Sequence, residues 1–143
     1  IREIDREINK FALFLQRSIM KMSYPSSERG KIMFAYSFAL EKIGDEVLRL
    51  WRSAVEDDLK IKGDLKDIIL LSRQGLGKSF EVYYRNNSKN VIEFLRMKDK
   101  MRKESYELLN KSTNNSKVII HALKIMEDSW DLTHLSLMKN FLK

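Results

Sequence analysis

Cysteine is absent from the 143 residues, so disulfides, thiolate metal ligands and cysteine nucleophiles are excluded, and an intracellular setting is favoured. Proline occurs once and glycine five times, which leaves long stretches without a helix breaker. No run of about 18 apolar residues exists, so membrane insertion is not expected and the chain reads as soluble and cytoplasmic. A secretory leader is not expected. Strand signals are missing too: no stretch alternates with period two between turn dipeptides. Histidine occurs only twice, and no serine, histidine and acid grouping points to nucleophilic catalysis. The chain is not expected to be an enzyme.

Charge is abundant and uneven. Lys and Arg number 27 against 20 Asp and Glu, a formal charge of +7. Residues 1–60 carry 11 basic and 10 acidic side chains, residues 61–143 carry 16 and 10. The excess is densest at Arg96, Lys98, Lys100, Arg102 and Lys103. Positions 96, 100 and 103 share one helical face, which is either a solvated surface or a docking surface for an acidic partner, protein or nucleic acid.

Hydrophobic periodicity divides the chain into five helices, at about 1–22, 28–57, 64–85, 89–111 and 117–142. The first carries a stripe at Ile4, Ile8, Phe11, Leu15 and Ile19, and ends at "SYPSS", where Pro25 stops it and Ser26 or Ser27 caps the next. The second places Ile32, Tyr36, Ala39, Ile43, Val47, Leu50 and Ala54 on one side. In "EDDLKIKGD", Gly63 is a break and Asp64 a cap; "RNNSKN" and "KSTNNSK" are turns. Short connections between long helices imply antiparallel neighbours. The expected fold is therefore an elongated all-α antiparallel bundle. Ile1 opens inside a charged periodic segment, as in a fragment whose natural start lies upstream.

"LEKIGDEVLRLW", residues 40–51, holds Gly44 inside a helix, at a cost of about 1 kcal/mol relative to alanine, between Glu41 and Asp45. At 100° per residue both acids lie opposite Ile43 and Val47, in a strip with Phe34, Ser37, Phe38, Leu48, Arg52 and Val55. A shift of 86 positions lays this segment on 120–141, with Glu41 on Glu127 and Asp45 on Asp131, as an internal duplication would. Folding back at the two turns brings Asp5 level with Asp45, and Asp99 level with Glu127 and Asp131. Paired carboxylates without a neighbouring base raise each other's proton affinity unless a cation neutralises them, and hard ions take such oxygen ligands. Gly44 would let a neighbouring helix approach closely; Trp130 stands at the corresponding place, so the second half cannot pack identically.

Other motifs carry less. "QGLGKS" at 74–79 lacks the first glycine of a phosphate loop, since Ser72 stands there, and no strand precedes it. Asp131 and His134 form one carboxylate-x-x-His pair, where a di-iron bundle needs two and further glutamates. His121 and His134 read as surface or helix-packing residues.

"LEKIGDEVLRLW" resembles the Leu-Glu-Arg-Ile-Gly-Asp signature of the PhoU family of phosphate-uptake regulators, and the likeness extends over nearly the whole chain. "KMSYPSSERGK" looks like that family's proline turn, "LLSRQGLGKSFEVYYRNNSKNVIEFLRMKDKM" is similar to the start of its second repeat, and "DKMRKESYELL" to the segment before its final turn. The resemblance implies two three-helix repeats, 1–58 without its first helix and 61–143 complete. It implies a cytoplasmic regulator of phosphate uptake, an adaptor to a phosphate ABC transporter ATPase or a sensor histidine kinase, acting as a homodimer. It also implies clusters of iron, zinc or manganese, on Asp5, Glu41 and Asp45 in one half and on Asp99, Glu127 and Asp131 in the other. Lys103 stands where another acid is usual. The alternative is a transcriptional regulator or nucleic-acid-binding domain, using Arg96, Lys100 and Lys103 or a DNA-binding domain in the missing N-terminal part.

Overall fold

The computed structural model describes residues 2–21, 27–111 and 115–141, apart from the side chains of 140 and 141. Pro25, Ser26 and residues 112–114 of the last turn lie outside the described residues. Among the described residues the fold has five helices: α1 (Arg2–Lys21), α2 (Glu28–Glu56), α3 (Asp64–Tyr84), α4 (Ser88–Lys111) and α5 (Ser116–Phe141). No strand occurs among the described residues. Ser27 caps α2 by accepting the Gly30 N–H at 3.0 Å, and the Asn87 side chain accepts from Asn90 N at 2.8 Å where α4 begins. Asp64, expected as a cap, is the first helical residue of α3; the cap position belongs to Gly63, whose φ of 56° only glycine adopts at little cost.

α5 is central and packs on α2, α3 and α4, whereas α1 packs only on α2. α2 and α5 run antiparallel, as the Lys42–Asp128, Glu46–Lys124 and Asp57–Lys117 ion pairs show. Lys42 and Asp128 are 86 positions apart, the same shift that lays Glu41 on Glu127 in the sequence. The main core joins Leu65, Ile68, Phe94, Met101, Val118, Ile119, Ala122 and Met126. A second cluster, Tyr36, Ile43, Ile125 and Leu132, ties α2 to α5.

α1 departs from expectation. Its stripe is not buried as a unit, for Ile4 is 64% and Phe11 59% exposed. Of the stripe Ile19 is buried and Ile8 and Leu15 are half-buried, and Ala12 and side-chain atoms of Asp5, Asn9 and Gln16 are covered beside them. A helix with a single neighbour can cover only one face, and here that face is the more polar one.

Two glycines of α3 separate close approach from propensity. A Cβ on Gly75 would lie 2.4 Å from Met126 Sδ and 3.3 Å from a Phe94 ring carbon, while one on Gly77 would meet nothing within 4 Å. Gly77→Ala is therefore expected to stabilise by about 1 kcal/mol, the helix-propensity difference. Gly75→Ala should lose that gain, because Met126 is fully buried and has no room to retreat. Paired urea-unfolding curves distinguish the two variants.

Candidate functional site

The acids singled out in the sequence fall into two unlike settings. In the first, Gly44 does admit a close neighbour: an added Cβ would sit 3.1 Å from Ile8 Cγ2. This contact sets the height of α1 against α2. Because the helices are antiparallel and Ile8 is level with Gly44, Asp5 lies within one turn of Asp45 at 1.5 Å per residue. One carboxylate oxygen of Asp5 and the side-chain oxygen of Asn9, one turn on, are buried without a hydrogen-bond partner. Glu41 and Asp45 are half-buried. Asp45 makes a long contact of 3.5 Å with Arg49, and Glu41 has no ion pair among the described residues.

In the second setting cations stand where a metal was expected. Lys98 Nζ donates to Glu127 at 3.1 Å and Arg102 at 2.7 Å. Burial alone would raise the Glu127 pKa, but the hydrogen bonds and charges of Arg102 and Lys98 outweigh it and hold the carboxyl below its usual range. Lys98 also lies 5.5 Å over the Trp130 ring, which meets Phe94 edge-on. Asp99 and Asp131 are exposed and neither joins Glu127. Lys103, expected to compete for this position, is exposed on the opposite side of α4; the competing groups are Lys98 and Arg102. Among the described residues, no three acid or histidine groups gather closely enough to hold a metal as they stand.

Arg96, Lys100 and Lys103 are all exposed. Lys100 reaches Glu104 at 3.7 Å, while Arg96 and Lys103 make no ion pair among the described residues. Ile92, Leu95 and Tyr106, each 41% or more exposed, interleave with them.

The most buried carboxylate is Glu46, which the sequence reading passed over. It is 1% exposed and sits between α2 and α5. His121 Nδ1 lies 2.7 Å from Oε2, Lys124 Nζ 3.4 Å from Oε1, and Arg49 donates to Oε1 as well. Burial opposes its ionisation, yet the hydrogen bonds from His121 and Arg49, with the charge of Lys124, hold its pKa below the usual value. Beside it Lys42 binds buried Asp128, whose bond raises the lysine pKa. Spacing could have revealed Glu46, since it falls on the apolar stripe between Ile43 and Leu50.

Comparison with known proteins adds nothing to this geometry: no family model matches the chain, and no curated protein or solved structure is significantly similar to it.

Proposed function

We propose that the chain is a regulator of phosphate uptake, an adaptor that contacts the ATPase of a phosphate ABC transporter or a sensor kinase rather than catalysing a reaction. The observation that carries this reading is the position of the "LEKIGD" segment, residues 40–45. Its glycine is seated on Ile8, and its two acids border a seam that holds an unpartnered Asp5 oxygen. Two PhoU-like repeats, 1–58 and 61–143, accommodate the helices: α1 and α2 correspond to α4 and α5 at the 86-residue offset, and α3 has no counterpart in the first. The Lys42–Asp128 contact between equivalent positions is what a two-fold relation between the repeats would produce.

The first acidic group has the donor chemistry for a metal and the second does not, although the first would have to draw together on binding, since no three acids among the described residues stand within reach of one ion. Asp5, Glu41 and Asp45, with the Asn9 oxygen, offer an all-oxygen donor set suited to manganese, and to iron or zinc with less preference. A bound ion would bridge these carboxylates and hold α1 to α2. Glu127 is already neutralised by Lys98 and Arg102, so no cluster is proposed with Asp99 and Asp131.

Manganese at 100 times its Kd should stabilise the protein by about 2.7 kcal/mol, visible as a higher Tm. Asp5→Ala combined with Asp45→Ala should abolish that shift. An unchanged Tm on adding manganese, iron or zinc removes the metal from the proposal. The regulatory role has its own test: cells lacking the protein should take up excess phosphate in replete medium, and an unaltered uptake rate overturns it.

A second reading rests on α4, where Arg96 and Lys103 stand free of ion pairs among exposed apolar side chains. This is a surface for an acidic protein or nucleic acid. Binding to single-stranded DNA that weakens steeply with salt, and more so in Arg96→Ala with Lys103→Ala, would favour it.

A further inference from the structure

Residues 8–27 hold no acid and three cations, Lys10, Arg17 and Lys21. All three cations are exposed. Lys10 bonds Glu7 at 2.7 Å, while Arg17 and Lys21 make no ion pair among the described residues. The same turns of α1 also expose large apolar side chains, Phe11, Leu13, Phe14 and Met20, between 47% and 67%. At 100° per residue the cations fall within about 40° of one another, on the side of α1 opposite Ala12 and Ile19, which are buried against α2. Phe11 and Phe14 flank them on one side, Leu13 and Met20 on the other. An exposed apolar patch of this kind marks a binding surface.

We propose that this face of α1, residues 10–21, binds the surface of an anionic phospholipid bilayer. Cations in the middle of an apolar patch select this occupant. A dry protein interface would strip water from all three at its centre, at a large desolvation cost. A nucleic-acid backbone would match the cations and leave Leu13 and Met20 in water. The headgroup layer satisfies both kinds of side chain: hydrated lipid phosphates surround lysine and arginine, whose stems lie along apolar surface, and the acyl boundary takes the rings and aliphatic chains. No helix among the described residues is long and apolar enough to cross a membrane, so the contact is peripheral. Polarity along α1 sets its orientation. Its first two turns carry Glu3, Asp5 and Glu7 against Arg2 and Arg6, so the C-terminal turns lie nearest the anionic surface. The site depends neither on phosphate regulation nor on a bound metal.

Co-sedimentation with vesicles of about seven parts phosphatidylcholine to three parts phosphatidylglycerol, beside vesicles of phosphatidylcholine alone, tests the proposal. The chain should pellet with the anionic vesicles and stay in solution with the neutral ones. Raising salt from about 0.1 to 0.5 M should release most of it. Arg17→Gln with Lys21→Gln should weaken binding about 25-fold, roughly fivefold for each cation. Phe14→Asp should weaken it about tenfold or more with unchanged helical circular dichroism, because the side chain already faces water. Arg96→Gln with Lys103→Gln removes the same charge from α4 and should leave binding within about twofold of wild type. A chain that ignores the anionic vesicles overturns the proposal, whether Arg17 and Lys21 prove to hold a second copy, a nucleic acid or nothing. So does equal pelleting with neutral vesicles, a Phe14→Asp chain that binds as wild type, or a loss in the α4 pair as large as in the α1 pair.

Discussion

Phe94→Ala is expected to lose about 3–5 kcal/mol of folding stability, the range for truncating a fully buried aromatic. Phe94 has no exposed surface and is the point at which three helices meet. It projects from α4, meets Trp130 of α5 with ring centroids 5.3 Å apart, and borders the backbone of α3 at Gly75. The same close approach that requires a glycine there leaves no slack for α3 to settle into the void, so the cavity should persist. With a total stability of about 5–15 kcal/mol for a domain, this is about a fifth or more of the whole. The Tm should fall by roughly 10–15 °C at this chain length. Tyr106→Ala, on the outer face of the same helix and 54% exposed, should stay within about 0.5 kcal/mol of wild type. Thermal and urea unfolding of both variants decides the matter; a loss under about 1 kcal/mol for Phe94→Ala would contradict the packing described.

The buried carboxylate between α2 and α5 should respond asymmetrically. His121→Ala removes the donor at Glu46 Oε2 and leaves a charge in a site that water does not reach, at a cost of about 2–4 kcal/mol. Glu46→Leu should cost far less. Its former partners Arg49 and Lys124 are about half exposed, at 50% and 54%, and return to solvent, while a leucine occupies the vacated apolar volume. Acid adds a second signature. Glu46 and Glu127 both titrate below their ordinary value in the folded chain, so the unfolded chain binds more protons as the pH drops. Their contribution is therefore complete above the unfolded pKa and is lost progressively below about pH 5. Glu46→Gln should flatten that decline in urea midpoints recorded from about pH 3 to 7, and a slope equal to wild type would rule out the assigned role.

Much of the architecture was legible in the sequence for a simple reason. Helices with one proline among them and polar turns between them announce their period and their ends, and α2 to α5 begin and end within a residue or two of where periodicity and turn residues place them. The close approach at Gly44 was also readable, because a glycine tolerated inside a helix implies a neighbour that needs the space. What periodicity cannot convey is which neighbours a face has. Ile4 and Phe11 belong to the expected inward stripe, yet they are exposed, since among the described residues α1 packs on α2 alone and turns Ala12 and Ile19 toward it. The partners of Glu127 were missed for another reason. Matched helix heights do not convey which side chains of α4 share the face of Phe94 and Met101; Lys98 does, and Lys103 does not. The partner of Glu46 was hidden by distance along the chain, because its hydrogen-bonded histidine lies 75 residues away.

Serine and threonine line the buried seams of the bundle. The hydroxyls of Ser37, Ser72, Ser79, Ser129, Thr133 and Ser136 each donate to a carbonyl three or four residues earlier in their own helix. Small side chains that spend their polarity at home let helices lie close, but they supply no teeth to stop one rod sliding along another. Axial alignment then falls to a handful of keyed contacts, such as Met126 over Gly75, the lysine–aspartate clasp between equivalent positions, and the bond of Tyr36 to Ser136. Loosening those few latches would release a shear motion between otherwise intact helices.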